Sequence, residues 1–496
     1  MQSIVPKYQK IKYNPRTKAG QIELAGSSYF DAVLPLIGST DVARGTATLL
    51  PATFAHPEDA EAQMQIALYA YNEMLGIVPR GYVPPKGTIA KSEIALLNKI
   101  GYKWFTSDQA VLAKSEPSGA TTTAPYGVTE GSESTIAAFG DAELANRVNF
   151  VYRNYYAENA ADDFIRSVLS IAPQNANEET FLTVVIDGDE PWSWYQNDID
   201  GQGFVNGLYR KLEKIFKTRA IVTATLSEYI DGNPDRGIKA HPLSSLKAIT
   251  QLGAGSQING NFNAWIGDKN ANTAWEYLSK ARNDLTTAGI TAPTVDVATI
   301  REGSKEWFAT RAYLSYLAAQ SNDWFAAFGN EFSLRSNPKP FETIFLNHLR
   351  NAYALAQRAG ASITAPAFES FAGGAELVTD ISSIKKKTRV TFHCQLKDRE
   401  AITAVYVAGN RTELADSQPN TKALRDNGEY GDVVSGDNTW TLIVDIDQGP
   451  LIYKYTNSGG KGTWEGSEAF PDVWRHIDIV GDKMTIDDVF GQITKK

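Results

Sequence analysis

The apolar run FLTVVID, residues 181–187, is the feature that most constrains how this chain can fold. It is rich in β-branched residues and closes at Asp187-Gly188, a pattern that predicts a buried strand. Helical patterns recur on both sides of it, at 58–76, 91–101, 141–170 and 204–216. Strands that alternate with amphipathic helices indicate an α/β fold, so we predict a barrel type of core.

The pattern changes toward the C-terminus. Residues 271–360 are nearly all helical in pattern, and a charged linker follows them. Beyond the linker, short alternating segments separated by Gly, Asn and Asp predict a β-sandwich. The predicted organisation is a partial (β/α) barrel over 1–250, a helical region over 251–375, a linker over 376–388 and an antiparallel β-sandwich over 389–496. The Ser-, Thr- and Gly-rich stretch 112–150 predicts a loop.

Composition excludes several classes of function. The 48 basic and 57 acidic residues give a net charge of −9, which argues against a general nucleic-acid binder. No apolar run has the length of a membrane span, and the N-terminus has no apolar signal core. A single cysteine and five dispersed histidines give no basis for a zinc site, and we expect neither metal nor cofactor.

The end of the FLTVVID strand carries the strongest chemical signal. Asp187 closes the strand, where α/β barrels place their active sites, and Asp189 and Glu190 crowd it with like charge. Trp192 and Trp194 follow, and indole faces suit the C–H faces of sugar rings. A solvated acidic turn is the alternative. The segment NDIDG (197–201) resembles part of a calcium loop but lacks its first and last carboxylates.

Several stretches, in order along the chain, are similar to one known family. They are VVIDGDEPWSW (184–194), GQIELAGSSYFDAVLPLI (20–37), GSQINGNFNAWIGDKNANTAWEYL (255–278) and SNDWFAAFGNEF (321–332). Over roughly residues 8–360 the chain resembles glycoside hydrolase family 57, the amylopullulanase and α-amylase branch. The resemblance implies an incomplete (β/α)7-type barrel with a following helical bundle that acts on α-linked glucans. It also implies a retaining mechanism, in which two carboxyl groups stand about 5–5.5 Å apart.

Transferred onto this chain, the family pattern places its acid/base aspartate at Asp187. Its nucleophile position falls in RGYVPPKGTIA (80–90), where Lys86 replaces the glutamate and Val83 replaces a tryptophan. An ammonium group cannot form a glycosyl ester, and it opposes a cationic transition state. The resemblance therefore implies a catalytically impaired site.

Other positions of the family pattern are kept or lost. Glu23, Trp265 and Asp323 fit it and are predicted substrate-binding residues, together with Trp192 and Trp194. Asp31 replaces a histidine, Gln257 replaces a tryptophan, and Ala326 and Ala327 replace two aromatic residues. The family's "HQP" motif is absent, so we expect an upstream segment or a partner chain to complete the barrel.

The C-terminal segment resembles a starch-binding carbohydrate module. Trp464 matches a sugar-stacking residue and Lys454 a polar sugar contact, while Trp440 and Trp474 lie nearby in sequence. The stretch LADSQPN lacks the tryptophan that such modules carry after their "ELG" element. A module that serves only in packing is the alternative.

Three functions follow from these patterns. The first is an α-glucan-binding protein derived from a retaining glycoside hydrolase and impaired in catalysis. The second is an active α-glucan hydrolase or glucanotransferase, in which Asp187 works with another carboxylate, Glu23 or Glu190. The third is a structural surface or assembly protein that reuses the scaffold without sugar.

Overall fold

The computed structural model of the chain describes residues 4–47, 49–172, 179–188, 191–293, 300–329, 337–373, 387–397, 404–464, 466–468 and 474–493. These residues divide between two compact units. The first unit comprises Met1–Ala142, Ala172–Val185 and Thr223–Leu377. The second comprises Glu143–Ile171, Ile186–Val222 and Val378–Lys496. The predicted domain boundaries remain predictions, and most of the predicted linker lies outside the described residues.

The helices, in chain order, are α1 Ile4–Ile11, α2 Leu34–Gly38, α3 Pro57–Leu75, α4 Ser92–Ile100, α5 Gln109–Leu112, α6 Ala142–Asn146, α7 Ala157–Ser170, α8 Gln202–Phe216, α9 Leu226–Asp231, α10 Lys269–Thr287, α11 Lys305–Ala318, α12 Asn322–Phe328 and α13 Lys339–Arg358. The strands are β1 Gly81–Tyr82, β2 Trp104–Asp108, β3 Tyr126–Glu130, β4 Glu133–Gly140, β5 Lys247–Ile249, β6 Lys387–Gln395, β7 Tyr406–Gly409, β8 Lys422–Ala423, β9 Thr439–Asp447, β10 Gly449–Thr456, β11 Arg475–Ile479 and β12 Lys483–Val489.

Local signals account for the helices predicted at 58–76 and 91–101. Helix α3 begins at Pro57, whose missing N–H is harmless in a first turn, and ends at Gly76 with φ 61°. Helix α4 ends in the same way at Gly101, with φ 98°. Both helices are confirmed.

The first unit contains a five-stranded sheet in the order β1-β2-β4-β3-β5. The pairs β1–β2, β2–β4 and β3–β5 are parallel, and β3–β4 is an antiparallel hairpin. Parallel bridges from Gly26 to Tyr82 and from Gly140 to Thr183 extend the sheet on both sides of β1, β2 and β4. This mixed α/β architecture confirms the fold class, with the barrel left open.

Two predictions in this sheet differ from the structure. The stretch 112–150 is not a loop throughout, because it contains β3 and β4; the small residues of ESTIAAFG hide the alternation that marks a strand. The run FLTVVID forms only the bridge at Thr183. Strand β3 pairs with β4 through Ala137, so only the last residues of β4 are left to accept the run.

A buried ionic network joins helices of the first unit. Asp59 of α3 is completely buried and accepts hydrogen bonds from Arg282 Nε at 2.9 and 3.1 Å. It also accepts the hydroxyl of Tyr316 at 2.9 Å, the amide of Gln320 at 3.0 Å and the hydroxyl of Tyr313. The network therefore ties the predicted barrel segment to the predicted helical region.

In the second unit, the described residues between 387 and 493 form a two-sheet β-domain. Its sheets have the orders β11-β10-β7-β8 and β12-β6-β9. Side chains of both sheets fill one core, among them Val390, Phe392, Val407, Tyr453, Tyr455 and Ile486. The domain is not wholly antiparallel as predicted, because β12 and β6 pair in parallel over seven residues, Lys483 to Val489. Within the described part of the chain, no helix is long and apolar enough to cross a bilayer.

Candidate functional site

Several loops that follow parallel strands meet at the carboxyl edge of the first unit's sheet. Gly26 pairs with Tyr82, and Tyr82 pairs with Phe105, so these three strands point the same way. Asp108 pairs with Gly140, which pairs in turn with Thr183. The residues that follow each strand meet at this edge, which is where α/β barrels carry their active sites.

Lys86 lies in a turn directly beyond β1. The turn Pro85–Gly87 is a short 3-10 helix in which Lys86 adopts φ 49° and ψ 31°. Its carbonyl oxygen accepts the N–H of Gln257 at 2.9 Å, and the hydroxyl of Ser107 donates to the carbonyl of Gly87 at 2.7 Å. The turn is thus fixed at the carboxyl edge by two neighbouring segments, with Lys86 partly buried.

Asp108 is a carboxylate of this edge that the sequence patterns did not single out. It ends β2, and a Cβ placed on Gly87 would lie 3.6 Å from its own Cβ. One carboxylate oxygen accepts the N–H of Ala110 at 2.8 Å and caps α5. Burial raises the pKa of Asp108. The signal was present, because KWFTSD ends on an aspartate as FLTVVID does.

Glu23 lies at the opposite, amino edge of the same sheet. It precedes Gly26 by three residues, and it accepts the backbone N–H of Ser227 at 3.1 Å as well as the Ser227 hydroxyl. Trp104, at the start of β2, donates its indole N–H to the same hydroxyl at 3.0 Å. The amino edge of such a sheet is associated with stability rather than with catalysis. The structure therefore separates Glu23 from Lys86 within the first unit.

Asp187 belongs to the second unit and follows by two residues Val185, which ends one of the three segments of the first unit. It is partly buried, and its predicted neighbours Asp189 and Glu190 lie outside the described residues. Trp192 donates its indole N–H to the carbonyl of Gly188 at 3.2 Å.

The two tryptophans after Asp187 differ in exposure. Trp192 is partly buried, with its ring centroid 5.6 Å from that of Tyr195, whereas Trp194 is 55% exposed. In the adjacent segment NDIDG, Asp198 accepts the N–H groups of Gly203 and Phe204 at 2.8 and 2.7 Å. Asp198 therefore caps the N-terminus of α8, which is an ordinary role for aspartate.

Trp265 and Asp323 occupy very different environments. Trp265 is completely buried, and its indole donates to the side chain of Asn322 at 3.1 Å. Asn322 in turn donates to the carboxylate of Asp31. Asp323 is exposed in the first turn of α12, where its N–H donates to the Ser321 hydroxyl at 3.3 Å. Direct sugar contact at Trp265 requires that its ring becomes accessible.

In the β-domain, Lys454 lies between two tryptophans. Its Nζ atom is 5.2 Å from the ring centre of Trp464 and 5.1 Å from that of Trp474. The two rings are 5.1 Å apart and meet at 80°. Lys454 is only 2% exposed, so its environment differs from that expected of a direct sugar contact. Burial lowers its pKa to about 8, with Glu468 opposing the shift and Arg153 adding to it.

One group of described residues has the composition of a cation site. The carboxylates of Asp426, Asp432 and Asp437 offer oxygens that lie within 4.8 Å of one another, and calcium prefers such ligands. Each carboxylate also accepts a backbone N–H of its own loop, from Gly436, Gly428 and Thr439 respectively. Hydrogen bonds of this kind are the usual role of aspartate in tight turns, and the expectation of no metal stays a prediction.

Comparisons with known proteins agree with this architecture. A GH57-type branching enzyme from Pyrococcus horikoshii shares the fold with a TM-score of 0.52 and 15% identity, over 73% of this chain and 72% of that one. A GH57 branching enzyme from Thermococcus kodakaraensis gives 0.50 and 14%, over 71% and 68%. No curated protein matches the chain. The sequence model described as "Glycosyl hydrolase family 57" matches residues 2–244. Residues 2–244, just under half of the chain, thus match the model of glycosyl hydrolase family 57, and the solved structures that share the fold include enzymes of that family.

Proposed function

We propose that this protein binds α-glucans and that Lys86 impairs hydrolysis at the family's active-site edge. The family 57 scaffold supports an α-glucan as the ligand. Asp187 is the proposed acid/base, with Trp192 and Trp194 as sugar contacts in the second unit. In the β-domain, Trp464 is a proposed stacking residue.

The observation that carries the proposal is the placement of Lys86. Its turn lies at the carboxyl edge of the sheet and is held by Ser107 and Gln257, as a nucleophile loop requires. The side chain on that turn is an ammonium. It cannot form the covalent glycosyl intermediate of a retaining enzyme, and it disfavours the positive charge that develops on the sugar.

Asp108 favours a second candidate, an active hydrolase or glucanotransferase. It is a carboxylate beside the same turn, and burial raises its pKa, which is the direction of shift that a catalytic acid needs. In this alternative Asp108 is a catalytic carboxylate of the first unit's sheet edge, and Asp187 keeps the acid/base role proposed above. Asp108→Asn and Asp187→Asn would then each abolish the release of reducing sugar.

Two measurements on the full chain separate the proposals. Reducing-sugar release from starch and pullulan tests catalysis, and electrophoresis through gels that contain amylopectin tests binding. Retarded migration without sugar release supports the binding protein. Sugar release that Asp187→Asn abolishes supports the enzyme. If the protein shows no retardation and no sugar release, the third function, a structural or assembly role without sugar, is supported.

A further inference from the structure

Trp464 and Trp474 form an aromatic corner that the core of the β-domain does not use. Their rings meet at 80° with centroids 5.1 Å apart, and both are partly exposed. Neither belongs to the hydrophobic cluster formed by the described residues of this domain. Two large aromatic rings that stay partly exposed outside a core are typical of a binding surface.

The segment that carries Trp464 is held by a buried asparagine. Asn420 is 6% exposed and donates to the carbonyl oxygens of Ser458, Gly460 and Thr463, at 2.8, 3.1 and 2.8 Å. Its own side-chain oxygen accepts the hydroxyl of Thr456 at 2.5 Å. These hydrogen bonds therefore hold the segment that leads to Trp464 in place.

The position of Trp474 is fixed by the next residue in the chain. The next residue, Arg475, is 5% exposed and donates to both carboxylate oxygens of Glu468, at 3.0 and 2.7 Å. Arg475 also bonds Asp488 at 3.0 Å. A bidentate buried pair of this type sets the position of the backbone beside it. Both tryptophans thus stand on preorganised segments, which lowers the entropic cost of binding.

Lys454 packs against both rings of the corner. Its ammonium lies within cation–π distance of both rings, and the side chain is almost fully buried. A group in this position holds the two rings at their mutual angle. Among the described residues, Glu468 of the same domain and Arg153 of the segment before α7 act on its charge.

We propose that Trp474 is the second sugar platform of the β-domain, paired with Trp464, and that Lys454 is a positioning residue that holds the pair. The proposal rests on the α-glucan binding proposed above and assigns its site. Two faces at a steep angle suit a chain that turns between successive sugars, as an α-1,4-glucan does. A flat β-1,4-linked ribbon favours coplanar faces. In this protein, Trp474 would then take the place of the tryptophan that the segment LADSQPN lacks.

The platform role is tested in the full chain by affinity electrophoresis in amylopectin and by titration of maltoheptaose against tryptophan fluorescence. Trp474→Ala and Trp464→Ala are each expected to weaken association at least about tenfold. Trp307→Ala is the matched control. Trp307 is also partly exposed, with Phe308 at 5.1 Å and 84° and Arg311 5.0 Å over its ring, but it lies in α11 of the first unit.

The outcomes distinguish the two proposals. If the unmodified chain is not retarded, the proposed glucan binding fails. If it is retarded and Trp474→Ala migrates in the same way, binding stands and the assignment of Trp474 is overturned. Equal losses in Trp474→Ala and Trp307→Ala also overturn it. Retardation in hydroxyethylcellulose equal to that in amylopectin contradicts the preference for a turning chain.

The positioning role of Lys454 is tested with Lys454→Arg and Lys454→Met. Arginine keeps the cation between the rings and is expected to retain most of the binding, whereas methionine keeps only the bulk and is expected to lose it. In the unmodified chain, binding is expected to fall as pH rises through about 8, where the ammonium loses its proton. Binding that is independent of pH between about 7 and 9, or full binding by Lys454→Met, overturns this role. Circular dichroism at each pH confirms that the variants are folded.

Discussion

The backbone N–H of Gln257 donates to the carbonyl oxygen of Lys86 at 2.9 Å, so two positions that depart from the family pattern are in direct contact. Gln257 stands where a tryptophan is expected and Lys86 where a glutamate is expected. The hydrogen bond joins backbone atoms, which explains how the loop keeps its shape after both side chains have changed. The proposal of impaired hydrolysis therefore concerns the side chains of this loop and not its backbone.

Replacing Lys86 with glutamate should restore hydrolytic activity at this turn. Lys86→Glu is expected to raise hydrolysis of a chromogenic maltooligosaccharide by about tenfold or more over Lys86→Gln, because it restores a carboxylate nucleophile. The glutamine variant is the matched control: it removes the ammonium and faces the same φ of 49°. Equal rates for the two variants, with binding retained, would show that this turn is not a nucleophile loop.

The buried Asp59–Arg282 pair should dominate the stability of the first unit. Arg282→Met leaves the carboxylate of Asp59 buried without its cation, and about 3–5 kcal/mol of unfolding free energy should be lost. Urea titration measures this. Lys280→Met is the control in the same helix, since the Lys280–Asp284 pair is solvent-exposed and contributes about 0.3–0.5 kcal/mol. Similar losses of unfolding free energy in both variants would contradict the assignment of this stability to the buried pair.

Glu93 should make stability depend on pH. Its carboxyl group is buried, accepts the N–H of Ala90 at 2.7 Å, and has its pKa raised by burial from 4.5 to about 7. The folded state therefore holds its proton more tightly than the unfolded state does, so the stabilising contribution is full below about 4.5 and is lost as pH rises through about 7. Unfolding free energies of the unmodified chain and Glu93→Gln, compared from pH about 5 to 8, should diverge in that window. A constant difference contradicts the assignment.

Lys454 predicts changes of opposite sign in binding and in stability. Its folded pKa of about 8 lies below the ordinary lysine value of 10.5, so burial of the charged form destabilises the folded state at neutral pH. As pH rises through about 8, stability relative to Lys454→Met should increase while glucan binding falls. Thermal unfolding and affinity electrophoresis at the same pH values measure both. A fall in both quantities together would indicate general loosening of the domain instead.

The sequence predicts those features that local chemistry determines. Helices α3 and α4 follow from their glycine ends, and the position of Lys86 after a strand follows from the turn residues around it. Strand β4 is not predicted, because the small residues among ESTIAAFG obscure the alternation of apolar and polar positions that marks a strand.

The site was harder to predict than the fold. A motif does not reveal which end of a short strand a residue occupies, so the sequence does not show that Glu23 and Lys86 lie at opposite edges of the sheet. Burial depends on contacts distant in sequence, so the sequence does not show that Lys454 is buried against two tryptophan rings. No motif points to Asp108, because the apolar residues of β2 predict the strand and not the aspartate that ends it.

The proposal that Lys86 impairs hydrolysis while α-glucan binding remains can be tested by the release of reducing sugar from soluble starch by the unmodified chain, with Asp187→Asn run in parallel. We expect both proteins to release no more sugar than a protein-free control and both to be retarded in amylopectin. Release by the unmodified chain that Asp187→Asn abolishes would contradict this proposal.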